Sequence, residues 1–268
     1  MHRGLYSACS AMLVQETHLD VVTNNLANVD TIGYRRRVPV SAEFSAMMDR
    51  IEKVSEDQET KIVTVPPFTM NWKGKQMIGS LALASVFSES HMDTQAGVVR
   101  VTDNPLDLLI AGPGFFAVQD GQGNTFYTRQ GNFQLSGEGV IVTPEGMPLQ
   151  GDGGEIAVAD ASRVMITDTG QVFADGELVG NVTLFTFENP TYLRQVGKNN
   201  LAVTAESGDP EEVEAVRLVP GALEMSNVSV VEEMVRMIEA QRAYEGASKA
   251  LMAHDELTGK LVTAYGRG

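Results

Sequence analysis

The residue types that most often carry chemistry occur in this chain, but not in working arrangements. Its four histidines, His2, His18, His91 and His254, show no metal-ligand spacing, and no two stand at i and i+4. The single cysteine, Cys9, excludes an internal disulfide and any cysteine-rich zinc site, and it reads as a small packed residue on an apolar stripe. There is no Gly-x-Ser-x-Gly elbow and no Walker-type phosphate loop. Asp120-Gly121-Gln122-Gly123-Asn124 has the outline of a calcium loop but lacks the repeated acidic positions and the closing Glu. Asp103 and Asp107 are a candidate carboxylate pair, yet they flank Asn104-Pro105 and read better as turn formers. The expectation is a non-enzyme, with no catalytic residue, no metal ligand and no cofactor.

The chemistry that does stand out is amide and apolar, the chemistry of packed interfaces. Asn24-Asn25-Leu26-Ala27-Asn28 is unusual in a helix because Asn is a poor helix former. Asn24 and Asn28 share one face at i, i+4, and amides held in a packed interface fix register at some cost in stability. The same residues could equally be the fraying end and cap of the helix, and spacing leaves both readings open.

The element that positions these amides is an N-terminal helix. Leu5, Met12, Leu19 and Leu26 recur every seven residues, with Ala8, Val22 and Val29 on a companion seam interrupted by Gln15. Asp30, Thr31 and Gly33 predict its end near Asn28. At the far end, Met234, Met237, Gln241, Tyr244, Ser248, Leu251, Asp255, Thr258 and Val262 follow 3–4 spacing from Val230, with Val231, Val235 and Ile238 as a second stripe. Ser226 or Asn227 is the expected N-cap, and Glu232 and Glu233 suit the positive end of the helix.

Between the helices the pattern changes to strands. Phe115–Gln119, a Gly-rich turn at 120–124 and Thr125–Arg129 predict a hairpin. Val140–Thr143, Val164–Thr167, Val182–Phe187 and Leu201–Thr204 predict further short strands, the signature of an antiparallel β domain. The expected fold class is therefore α+β: a discontinuous, coiled-coil-like helical module from residues 1–50 and 226–268, with an antiparallel β domain at 81–225 inserted between them. Residues 51–80, including Val65-Pro66-Pro67, read as an extended connector.

The charge follows this layout. Of the 268 residues, which carry a formal net charge of −15, the segment 101–225 holds 18 Asp and Glu against 5 Lys and Arg, a net of −13. Residues 1–50 hold five of each sign, and 226–268 hold six acids and five bases. An acidic middle on nearly neutral ends suits an outer module carried on ends that pack against something. It argues against nucleic acid as a partner, and Arg35-Arg36-Arg37 is too short to change that, reading as a solvated loop. No segment has the roughly 18 apolar residues of a membrane span, so the protein is not expected to be membrane-embedded. The start lacks a Sec-type apolar region, which predicts no cleaved leader.

Each terminal helix carries an apolar face that a chain of this size does not easily hide, and exposed stripes of that kind mark association surfaces. Helices with few tertiary contacts are marginal in water, so the termini are expected to be partly disordered in the monomer and to order on assembly. An intramolecular coiled-coil stalk is the alternative from spacing alone.

Three blocks then carry a family resemblance. Asn24-Asn25-Leu26-Ala27-Asn28-Val29-Asp30-Thr31-Ile32-Gly33-Tyr34-Arg35 resembles the N-terminal signature of flagellar rod and hook proteins. Asp103–Asp107, Gly112–Phe116 and Tyr127–Gly131 are similar to the central block of that family. Leu223–Val228 and Glu232 through Glu245 are similar to its C-terminal block, with Ala240-Gln241-Arg242-Ala243-Tyr244-Glu245 most like distal rod proteins. The resemblance implies an axial subunit of the flagellar basal body, in the periplasm-spanning rod, exported through the flagellar type III apparatus without a cleaved signal peptide. It implies copies of the same chain and neighbouring rod and hook proteins as partners, an inner tube of paired terminal helices and an outward β domain. The expected assembly interface comprises Leu5, Met12, Leu19, Asn24, Asn25, Leu26, Asn28, Ser226, Asn227, Val231, Met234, Ile238, Gln241, Arg242 and Tyr244. A reading from another class, a soluble β-rich binding or hydrolytic protein on a helical oligomerisation stalk, would require a closed oligomer and a concave site.

Overall fold

From Leu5 to Ala27 the chain has neither Gly nor Pro, and His2–Ala27 forms one helix, α1. It ends where Asn28, Asp30 and Gly33 follow, as the turn chemistry predicts. The last helix, α2, spans Val230–Tyr265, with Glu232 and Glu233 in its first turn. A computed structural model describes residues 2–43, 61–65, 68–72, 85–158, 163–197, 199–213 and 215–265. The last helix starts at Val230, where the spacing placed its row, but the Glu233 N–H bonds the Ser229 carbonyl, so Ser229 and not Ser226 or Asn227 stands at the N-cap position.

The strands come between the helices and are short. The first are β1 (Arg37–Glu43), β2 (Lys61–Val65), β3 (Phe68–Trp72), β4 (Ser85–Met92), β5 (Val99–Val101), β6 (Leu108–Ile110), β7 (Phe115–Gln119) and β8 (Thr125–Thr128). Next come β9 (Gln134–Leu135), β10 (Ile141–Val142), β11 (Gln150–Gly151), β12 (Gly154–Glu155), β13 (Val164–Ile166), β14 (Gln171–Ala174), β15 (Glu177–Asn181) and β16 (Leu184–Thr186). The last are β17 (Arg194–Val196), β18 (Asn200–Ala202), β19 (Glu211–Glu212), β20 (Leu218–Pro220) and β21 (Ala222–Glu224). Two terminal helices and a central antiparallel β region make the fold α+β.

The β region is organised by β7 at the centre of a six-stranded sheet, in the order β17-β18-β8-β7-β16-β19. Successive strand residues point to opposite faces. Phe116 therefore enters one core with Leu108, Ile141, Leu149, Val172 and Leu184, while Phe115 and Ala117 enter a second with Tyr127, Phe187, Leu193 and Leu201. A strand buried on both faces reads as a continuous apolar run, which Phe115-Phe116-Ala117-Val118 is. The predicted β7–β8 hairpin forms, with Phe116 opposite Thr128 and Gln119 opposite Thr125. Its turn is held by the Asp120 carboxylate, which accepts the N–H groups of Gln122 and Asn124. Asp107 closes the Asn104-Pro105 turn, its carboxylate accepting from Thr102 Oγ1 at 2.6 Å and Asn104 Nδ2 at 3.0 Å.

The chain divides into two compact units: Met1–Thr23 with Pro39–Ser90 and Met234–Gly268, and Asn24–Val38 with His91–Glu233. Residues 24–38 and 226–233, expected in the helical module, thus go with the β-rich unit. Most of the expected connector at 51–80 lies outside the described residues, and its described parts, β2 and β3, pair as an antiparallel hairpin.

Candidate assembly interface

Helix α2 has apolar residues on two opposite faces. Glu233 and Ala240 are buried on one, and Met237, Tyr244, Ala247, Leu251 and His254 extend that side half-buried. On the other, Val231 is 72% exposed, Met234 49%, Val235 50% and Ile238 51%. Gln241 and Arg242 are exposed too. The second stripe seen in the sequence is therefore the uncovered one. Further along, Met252, Leu257 and Val262 are also exposed.

On α1 the deepest residues are Ala8, Val14, Val22 and Asn25. The heptad Leu5, Met12, Leu19 and Leu26 is half-buried beside them. The expectation that Cys9 packs is corrected: it lies one position round from Ala8 and is exposed. Gly4 packs on the His254 imidazole, where a Cβ would sit 2.5 Å from Nε2.

The asparagines are engaged within the chain. Asn25 is 1% exposed and uses its whole amide. Its Nδ2 donates to the Arg37 carbonyl at 2.8 Å and to Glu233 Oε2 at 3.1 Å, while Oδ1 accepts the Arg37 N–H at 2.9 Å. The Tyr34 hydroxyl lies 3.0 Å from Oδ1 of both Asn24 and Asn25, so its one proton serves two acceptors. Asn28 is a cap, donating to the Asn24 carbonyl at 2.8 Å. On the C-terminal side, Asn227 Oδ1 accepts the Arg36 N–H at 2.7 Å and Nδ2 donates to the Gln95 carbonyl at 3.0 Å. Ser226 is buried, and its Oγ accepts the Val228 N–H.

Sequence reasoning missed the charged part of this junction. Far from a solvated loop, Arg35 is buried and pairs with Glu224 at 2.7 Å, and Arg129 meets the same carboxylate at 3.2 Å. Glu224 also accepts the Gly97 N–H, while Arg129 donates to the Gly112 carbonyl and lies 5.3 Å from the Phe115 ring centre. Arg36 pairs with Asp93 at 2.9 Å and faces Glu233 at 3.8 Å. Burial pushes the Arg129 guanidinium down to about 10, Glu224 opposing and Arg35 adding to the shift. Burial likewise pushes the Tyr34 hydroxyl up to about 12, against the pull of Arg37. The available signal was a charge inside an apolar run, as Glu224 is in Ala222-Leu223-Glu224-Met225.

Ion pairs and hydrogen bonds thus tie residues 35 and 36 to residues 93, 224 and 227. Among the described residues no three His, Cys, Asp or Glu come together to hold a metal ion, and no helix is long and apolar enough to cross a membrane.

Comparison with known proteins agrees in three places. Residues 5–35 match the family described as flagella basal body rod protein. Residues 109–174 match the D1 domain of flagellar hook protein FlgE/F/G, and 219–264 match the C-terminal family of flagellar basal body rod FlgEFG protein. The flagellar basal-body rod protein FlgG of Caulobacter vibrioides is 33% identical over 267 residues, covering 95% of this chain and 96% of its own. The FlgG of Bacillus subtilis is 32% identical over 275 residues, 98% of each chain. The FlgF of Caulobacter vibrioides is 29% identical over 269 residues, covering 100% of this chain and 99% of its own.

Proposed function

The chain belongs to the flagellar basal-body rod protein family and is a structural subunit of the bacterial flagellar rod, and we propose that it enters the rod by polymerising through the outward faces of its terminal helices. The observation that carries this reading is the second apolar face of α2. A helix apolar on both sides belongs in an interior, and a contiguous exposed apolar stripe marks an association surface. Covering the exposed parts of Val231, Val235 and Ile238 contributes about 1 kcal/mol apiece, repeated at every subunit. Head-to-tail contacts that do not close build a helical tube, with the helices inside and the acidic β region outside. Copies of this chain and neighbouring rod and hook proteins are the partners in this arrangement. Export through the flagellar type III apparatus is the route that this family membership supports. In the monomer the helix ends are less ordered than in the rod, because one of the faces that stabilises them is bare.

Ile238→Asp is the direct test, since the side chain is half exposed and its loss leaves the β cores intact. Basal bodies from a strain carrying only this variant should show truncated rods without hooks by electron microscopy. The purified variant should keep the wild-type unfolding temperature of the β region. Full-length rods with hooks would remove this face from the assembly.

A further inference from the structure

β5 and β15 are two of the strands that are covered on one edge only among the described residues. β5 pairs with β21 and with no other strand among the described residues, and Val98, Val99 and Val101 beside and within it are 73%, 53% and 71% exposed. The Met225 N–H bonds the Val98 carbonyl and the Thr102 N–H bonds the Gly221 carbonyl. Antiparallel bonding alternates, so the N–H and C=O groups of Val99 and Val101 face the open side. The second open strand, β15, ends the sheet β13-β14-β15, with Leu178 54% and Val179 40% exposed. At the end of β15 the Asp152 N–H bonds the Asn181 carbonyl, so its edge is open only before that residue.

Soluble proteins usually blunt apolar edges with charge, Pro or a cover, because open edges recruit other chains. We propose that in the rod the β5 edge of one copy pairs with the β15 edge of the next, continuing a sheet from subunit to subunit. This inference rests on the reading that copies of the chain polymerise. Charge selects the pairing. β5 carries Arg100 and no acid, while β15 opens with Glu177, within a segment whose net charge of −13 otherwise makes copies repel. Pairing β5 with β5, or β15 with β15, sets like charges near each other and closes into a dimer that extends no further. Pairing β5 with β15 matches the charges and is head to tail.

The test uses assembled basal bodies of cells in which Cys9 is Ser. Val99→Cys or Val101→Cys is combined with Leu178→Cys or Val179→Cys, and the rods are oxidised with copper phenanthroline. Facing strand positions lie within disulfide reach. At least one pair should give a ladder of dimers, trimers and larger species on a non-reducing gel, and none of the four single-cysteine strains should. Arg100→Glu should cut the ladder and swarming motility several-fold, and adding Glu177→Arg should restore both. No ladder in rods that assemble, dimers from a single cysteine, or failure of the second charge reversal to restore motility would each overturn the pairing. Rods without a ladder leave helix-mediated polymerisation standing, whereas full rods from Ile238→Asp remove that reading whatever the ladder shows.

Discussion

Asn25 and Tyr34 show how a few buried polar groups tie the N-terminal signature to the C-terminal segment. The Tyr34 hydroxyl is a donor to Asn24 and Asn25 only while it keeps its proton. Tyr34→Phe should therefore cost about 1 kcal/mol at neutral pH, the net worth of a lost hydrogen bond, since Asn25 Oδ1 keeps the Arg37 N–H. The folded-state pKa is raised to about 12 from an ordinary 10.0, so the contribution of this group is complete below pH 10 and disappears as pH rises through 12. Urea unfolding of wild type and variant should then give curves that converge between pH 10 and 12. A constant gap across that window would show that the hydroxyl proton is not what stabilises the junction.

At the scale of elements, the turn after α1 decides whether the signature reaches its partners. Gly33 has φ of +71°, and a Cβ there would lie 2.5 Å from the Arg129 carbonyl carbon and the Gln130 nitrogen. Its N–H bonds the Glu224 carbonyl at 2.7 Å. Gly33→Ala should cost about 2–4 kcal/mol from left-handed strain and backbone displacement together, read as a lowered unfolding temperature. The helices, the β7–β8 hairpin and the α+β class were legible because periodicity and turn residues are local signals. The ion pairs of Glu224 were not, because Arg35, Arg129 and Glu224 meet only through the fold. Spacing also grouped Met234 with Met237 and Tyr244 on one row, although the first is exposed and the other two lie towards the buried side. A helix apolar on both faces gives no single stripe to read, and only burial tells the covered face from the bare one.

For the whole molecule, acidity and apolarity are separated in a way that suits a polymer. The segment 101–225 is strongly acidic, while the ends are nearly neutral and carry the exposed apolar stripe of α2. Neutral ends can approach one another closely, and like charge between the acidic regions confines association there to charge-matched edges such as β5 and β15. In the rod the outer face of α2 is expected to be buried against another copy of the chain. Placing a photo-crosslinking benzophenone amino acid at position 238 and irradiating assembled basal bodies tests it most directly. A covalent dimer is expected, its linked peptide coming from a second copy of this chain, with no such dimer from position 233 on the buried face. A label at 238 that links only within its own chain, or to nothing in rods that have formed, would contradict it.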